Sequence, residues 1–166
     1  MKPEDPRYAA IAQPANQDQH DAHIAFAVAM WPVICPLGRY RYAKKRQTQG
    51  NPIRVRTEQI RSQDRYWGTE EAMGEGSPVQ ALLRGDDVET PDVLYLQNPI
   101  DDLHPMENLQ QFVEAYRKTG GQIKLELFEG PAYDLVRTAP ESAEAKRMVE
   151  TIIGFIHNPK KGPGSN

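Results

Sequence analysis

Leu94-Tyr-Leu-Gln-Asn-Pro-Ile-Asp101-Asp-Leu-His-Pro105 is the stretch on which the fold of this 166-residue chain turns. Its first residues form a short apolar run of the kind buried on both faces of a parallel sheet, and the run then empties into an acidic loop. Further on, Leu125-Glu-Leu-Phe-Glu-Gly-Pro-Ala-Tyr133 repeats the form of a strand followed by a loop. Between them, Leu109, Phe112, Val113 and Tyr116 recur at helical offsets, which predicts an amphipathic helix over 107–119 closed by Gly120-Gly121. A strand, a helix of that length and a second strand imply a parallel crossover. In open sheets of this kind, sites lie beyond the carboxyl ends of the strands, which points to Asp101 and Tyr133.

Upstream, Ile24-Ala-Phe-Ala-Val-Ala-Met-Trp31 reads as a core strand ending near Met30, because Pro32 and Pro36 cannot donate to a central ladder. Residues 38–63 are charged and helix-tolerant, interrupted by Gly50-Asn-Pro52, and are expected as surface helical turns outside the sheet. Thr69 is a good cap for a short helix with glutamates in its first turn. Ser77-Pro78 is a second helix start, with proline at the first helical position. The strand 93–97 follows the turn residues Gly85-Asp-Asp and Thr90-Pro91, and 123–128 alternates as a strand near a sheet edge does. Met148, Val149, Ile152, Ile153 and Ile156 form the apolar stripe of a last helix over 142–157. The expected organisation is a polar segment 1–22, a partial α/β domain 23–158 with a helical insertion at 38–76 over the site, and a flexible tail 159–166.

Composition narrows the function classes. Twenty basic and 23 acidic residues give a formal net charge of −3, with no polyelectrolyte footprint. The basic run Arg39-Tyr-Arg-Tyr-Ala-Lys-Lys-Arg46 could in principle stack on bases, but acidic residues dominate elsewhere, so no nucleic-acid partner is expected. One cysteine, Cys35, excludes an internal disulfide and suits a reducing compartment. The longest apolar run, 24–37, contains two prolines and is too short for a bilayer, and Met1-Lys-Pro-Glu-Asp-Pro-Arg has no apolar leader core. These features suggest a cytoplasmic chain without membrane partners.

The same residues carry a family resemblance. Residues 64–157 look like the last portion of an α/β-hydrolase of the prolyl-oligopeptidase, esterase and dienelactone-hydrolase-like branch. Ser77-Pro78 resembles the serine-proline before the acid-bearing strand. Asn98-Pro-Ile-Asp101 with Asp-Leu-His-Pro105 resembles the loop whose carboxylate orients the catalytic histidine, with Asn98 where the family usually has glycine. Phe128-Glu-Gly130-Pro-Ala-Tyr133 resembles the histidine-bearing loop, with Tyr133 in the histidine's place. Pro3-Glu-Asp-Pro-Arg-Tyr8 and Trp31-Pro-Val-Ile-Cys-Pro36-Leu-Gly-Arg-Tyr40 resemble segments following the nucleophile helix of some bacterial hydrolases. The implied fold is the C-terminal part of a mostly parallel hydrolase sheet with flanking helices, an incomplete fold lacking the nucleophile-elbow half.

The resemblance makes Asp101 the family acid, and its plain alternative is an ordinary loop carboxylate beside Asp102. Tyr133 is a poor proton shuttle, since a phenol of ordinary pKa is only about one part in a thousand ionised at neutral pH. A packed tyrosine hydrogen-bonding toward Asp101 is the preferred reading. No Gly-x-Ser-x-Gly elbow occurs; Ser62, Ser77, Ser142 and Ser165 sit in polar or capping positions. His104 shares the Asp101 loop and could reach the site mouth as a substitute base. Tyr66 and Trp67 are candidate pocket aromatics, with packing as the equal alternative. Cys35 reads as a buried small hydrophobe before a nucleophile. Asp101, Asp102 and His104, with Asp86 and Asp87, offer ligand atoms, but no compact motif fixes them, so neither metal nor cofactor is expected.

The resemblance implies ester or amide hydrolysis by acyl transfer in the complete fold, with this chain inactive alone. A complementary N-terminal hydrolase half, or a second copy, would join at the sheet edge beside Ile24–Met30. A non-catalytic binding or interaction module on the same remnant is the alternative.

Overall fold

The computed structural model of the protein describes residues 24–49, 54–129 and 135–158. In chain order they form β1 (Phe26–Met30), α1 (Pro36–Thr48), α2 (Arg54–Trp67), α3 (Glu70–Glu75), α4 (Pro78–Arg84), β2 (Asp92–Gln97), α5 (Met106–Lys118), β3 (Ile123–Leu127), α6 (Leu135–Thr138) and α7 (Ala143–His157). The strands make one parallel sheet in the order β1-β2-β3, with Val28 opposite Leu94 and Leu94 opposite Lys124. Parallel pairing forces the connections to cross over, and the helices so placed cover the two faces.

β2 is central because it is apolar on both faces, and all its residues are buried. Val93 and Tyr95 point to one face, where they pack with Val79 and Leu82 of α4 and with Leu109, Phe112, Val113 and Tyr116 of α5. Leu94 and Leu96 point to the other, against Met148, Ala145, Ile152 and Phe155 of α7. Each fully buried leucine on β2 contributes about 1.5–3 kcal/mol of transfer free energy. A third small core of Tyr40, Ala43, Ile60 and Met73 holds α1, α2 and α3 to one another.

Capping chemistry sets the helix starts as the residues suggest. Ser77 accepts from Gln80 N at 3.3 Å and donates to Ile34 O at 3.2 Å, so one hydroxyl both caps α4 and ties it to the β1–α1 connection. Thr69 caps α3 and Ser142 caps α7 in the same way. Gly85 ends α4 at φ 74°, a left-handed turn that suits glycine.

Two local expectations change. Residues 36–48 and 54–67 are full helices rather than helical turns. Their residues are good helix formers without a broad apolar stripe, so periodicity understated them. β1 is also shorter than the apolar run. Ile24 lies outside it and is exposed, and the strand ends where Trp31 adopts φ 45°, in the left-handed region unusual for a bulky residue. The expected polar segment 1–22, the interruption at Gly50-Asn-Pro52, the loop residue Tyr133 and the tail 159–166 all lie outside the described residues.

Candidate active site

The carboxyl end of β2 runs into Asn98-Pro-Ile-Asp101-Asp-Leu-His104, and this loop folds around one carboxylate. Asn98 starts the turn: its side-chain oxygen accepts from Ile100 N at 2.8 Å, and its carbonyl accepts from Asp101 N at 3.2 Å. The turn drives the Asp101 side chain inward until none of it is exposed. There Oδ1 accepts backbone N–H groups from Leu103 at 2.7 Å and His104 at 3.2 Å. Oδ2 lies 2.7 Å from His104 Nδ1. A buried carboxylate persists only when its lone pairs are met in this manner.

A second network holds the loop from below. Tyr95 donates to Gln97 Oε1 at 3.2 Å, and Gln97 Nε2 donates to the His104 carbonyl at 2.8 Å. Gln97 is fully buried, which explains a polar residue on an otherwise apolar central strand. From the helical side, Arg39 of α1 donates to the Leu103 carbonyl at 3.0 Å. Burial pushes the Arg39 guanidinium down from its usual range, against the pull of the Asp101 charge. Burial raises the Tyr95 phenol, and Asp101 adds to that rise, so Tyr95 stays a neutral donor.

His104 is mostly buried, with 12% of its side chain exposed. It lines a small cavity of about 10 Å³ together with Cys35, Arg39, Gln97 and Asn108. That volume admits about one water molecule and no acyl chain. Cys35 is buried immediately before α1, packed in the same core as Val79 and Leu109. Tyr66 and Trp67 do not line this cavity. Tyr66 is 80% exposed, and Trp67 packs edge-on against it and onto the core of α1–α3. Among the described residues no group of three or more His, Cys, Asp or Glu side chains is placed to hold a metal ion.

The basic run has partners of its own. Tyr40 is buried and donates to Asp64 at 2.7 Å, Lys44 lies over its ring, and Arg41 pairs with Glu70 at 2.9 Å. No helix among the described residues is long and apolar enough to cross a membrane.

The structure therefore joins Asp101 and His104, which the sequence placed on one loop without a bond between them. Spacing was the available signal, since a histidine three residues after an aspartate can return to it across a turn. Gln97 and Arg39 are site-edge residues that sequence reading missed. Trp31 stands at the carboxyl end of β1, and its buried Nε1 has no partner among the described residues. Strained backbone at a strand end is a recurrent property of functional edges.

No family model and no curated protein matches the chain. Among solved structures it is similar to a novel thermophilic esterase from the Planctomycetes species Thermogutta terrifontis, at 20% identity and a TM-score of 0.53. The match covers 94% of this chain and 50% of that chain. The fold is α/β-hydrolase-like. The chain spans half the length of the esterase it matches, and at that identity the likeness speaks for the fold alone.

Proposed function

We propose that the chain is the acid-bearing part of an acyl-transfer fold related to serine esterases and peptidases, incomplete by itself for chemistry at a serine. The observation that carries this reading is the fully buried Asp101 carboxylate at the carboxyl end of the central parallel strand. In such a sheet that edge is where chemistry is placed. In a catalytic triad a buried acid orients an imidazole through the same kind of hydrogen bond. The nucleophile and the oxyanion donors would come from a complementary hydrolase half. Its joining surface would be the outer edge of β1, which no described strand pairs. Beside it, α7 exposes Val149, Ile153 and Ile156 on the flank turned away from β3. An open strand edge with an apolar helix flank invites a further strand and helix.

A non-catalytic binding or interaction module is the second reading. It is favoured by the size of the cavity at His104, about 10 Å³, which offers no room for a substrate. A fluorophosphonate probe followed by peptide mapping tests the incomplete-enzyme reading. The expected result is no labelled serine and no serine-dependent turnover of short-chain p-nitrophenyl esters. Labelling of Ser62, Ser77 or Ser142 would overturn it.

A further inference from the structure

The family resemblance puts the base at position 133, where this chain has tyrosine; the only imidazole bonded to Asp101 among the described residues is His104, on the acid's own loop. We propose that His104 is the working base and nucleophile of this site, and that the Asp101–His104 pair alone transfers acyl groups from small activated esters to water. The inference rests on the hydrolase-like reading for its setting, but its chemistry needs no serine.

The tautomer follows from the partner. A buried carboxylate only accepts, so the proton of the neutral imidazole sits on Nδ1, facing Asp101 Oδ2 at 2.7 Å. Nε2 is left with its lone pair. Asp101 cannot turn away, because Oδ1 is committed to the N–H groups of Leu103 and His104. The His104 carbonyl is held from the opposite side by Gln97, which fixes the backbone carrying the ring. The charged and titratable groups around the loop include Arg39 and Tyr42 from α1, Tyr95 from β2, Asp102 within the loop and Cys35 across the cavity.

In the first step Nε2 attacks the acyl carbon. A carbon–nitrogen bond forms, the ester carbon–oxygen bond breaks, and the phenolate leaves with the electron pair. Water then adds to the acyl-imidazolium, the carbon–nitrogen bond breaks, and carboxylic acid departs while the water's second proton passes to solvent, which restores the neutral imidazole. The cavity beside His104 admits about one water and no acyl chain, so an ester reaches the ring only through the 12% of the side chain that is exposed. That limits the reaction to short acyl groups on good leaving groups.

The test uses the purified full chain with p-nitrophenyl acetate after fluorophosphonate treatment. Turnover insensitive to the phosphonate is expected, falling about tenfold or more in both His104→Gln and Asp101→Asn, since each removes the oriented Nε2 lone pair that attacks the ester. His157→Gln, at the distant end of α7, is expected to leave the rate unchanged. Asp101→Asn keeps an oxygen for the two backbone N–H groups while reversing the imidazole tautomer, so it serves if His104→Gln fails to fold. Equal rates in wild type and Asp101→Asn would overturn the proposal. So would activity that survives in His104→Gln but is lost on alkylating Cys35 with iodoacetamide, or the absence of turnover above buffer. Phosphonate labelling reads the incomplete-enzyme proposal separately, because a labelled serine contradicts that reading whatever His104 does.

Discussion

At the scale of single residues, Asp101 sets the energetics of the site. Its carboxylate meets two backbone donors and one imidazole with no solvent contact, so truncation strands all of them. Asp101→Ala is expected to lower stability by about 1.5–3 kcal/mol, the scale of hydrogen bonds made to a charged group. Asp101→Asn should cost clearly less, and urea denaturation of both variants measures the difference. Tyr116 offers a pH-dependent prediction. Burial and the nearby Asp92 push its phenol up to about 12, and its hydroxyl donates to the Pro91 carbonyl. The fold favours the neutral phenol, so this stabilisation is complete below the unfolded value near 10 and is lost as pH rises toward 12. Tyr116→Phe should flatten the fall in stability over that range, as followed by thermal melts at stepped alkaline pH.

At the scale of elements, one hydroxyl links two connections. Ser77 caps α4 and bonds the Ile34 carbonyl, and Val79 N reaches the same carbonyl at 3.1 Å. Ser77→Ala is expected to cost about 1–2 kcal/mol, measurable by chemical denaturation, without loss of the sheet. The same residue explains what was legible in the chain. Serine followed by proline is a local start signal, and it was readable because capping depends on a few adjacent residues. The crossover β2–α5–β3 was readable for a related reason, since each of its three elements keeps its own regular apolar pattern over its length. α1 and α2 were legible only as helix-tolerant sequence, because their small shared core draws on Tyr40, Ala43, Ile60 and Met73 from separate helices. The ring-to-carboxylate bond of His104 depends on a turn set by Asn98 and on Gln97 beneath it. No one-residue pattern carries that information.

At the scale of the molecule, the sheet has two edges, and they are not equivalent. β3 is flanked by Arg147 of α7, which donates to the Leu127 carbonyl at 3.1 Å. The outer edge of β1 is unpaired among the described residues, and the α7 flank turned away from β3 exposes Val149, Ile153 and Ile156. If that flank joins a partner or a second copy, Ile153→Lys should abolish concentration-dependent association in sedimentation velocity. The change should leave the melting temperature nearly intact, because Ile153 is already 49% exposed. An association unaffected by the change would place the interface elsewhere. The sequence revealed this edge as an apolar strand with nothing to pair it, while the exposed helix flank required the packing of α7 to be known. The chemistry of the whole site turns on the state of one imidazole. Long-range ¹H–¹⁵N correlation of the histidine rings at neutral pH measures it directly. The structure predicts that His104 is the Nδ1–H tautomer with a bare Nε2, and that Asp101→Asn reverses it. A His104 ring found as the Nε2–H tautomer in the wild-type chain would contradict the account.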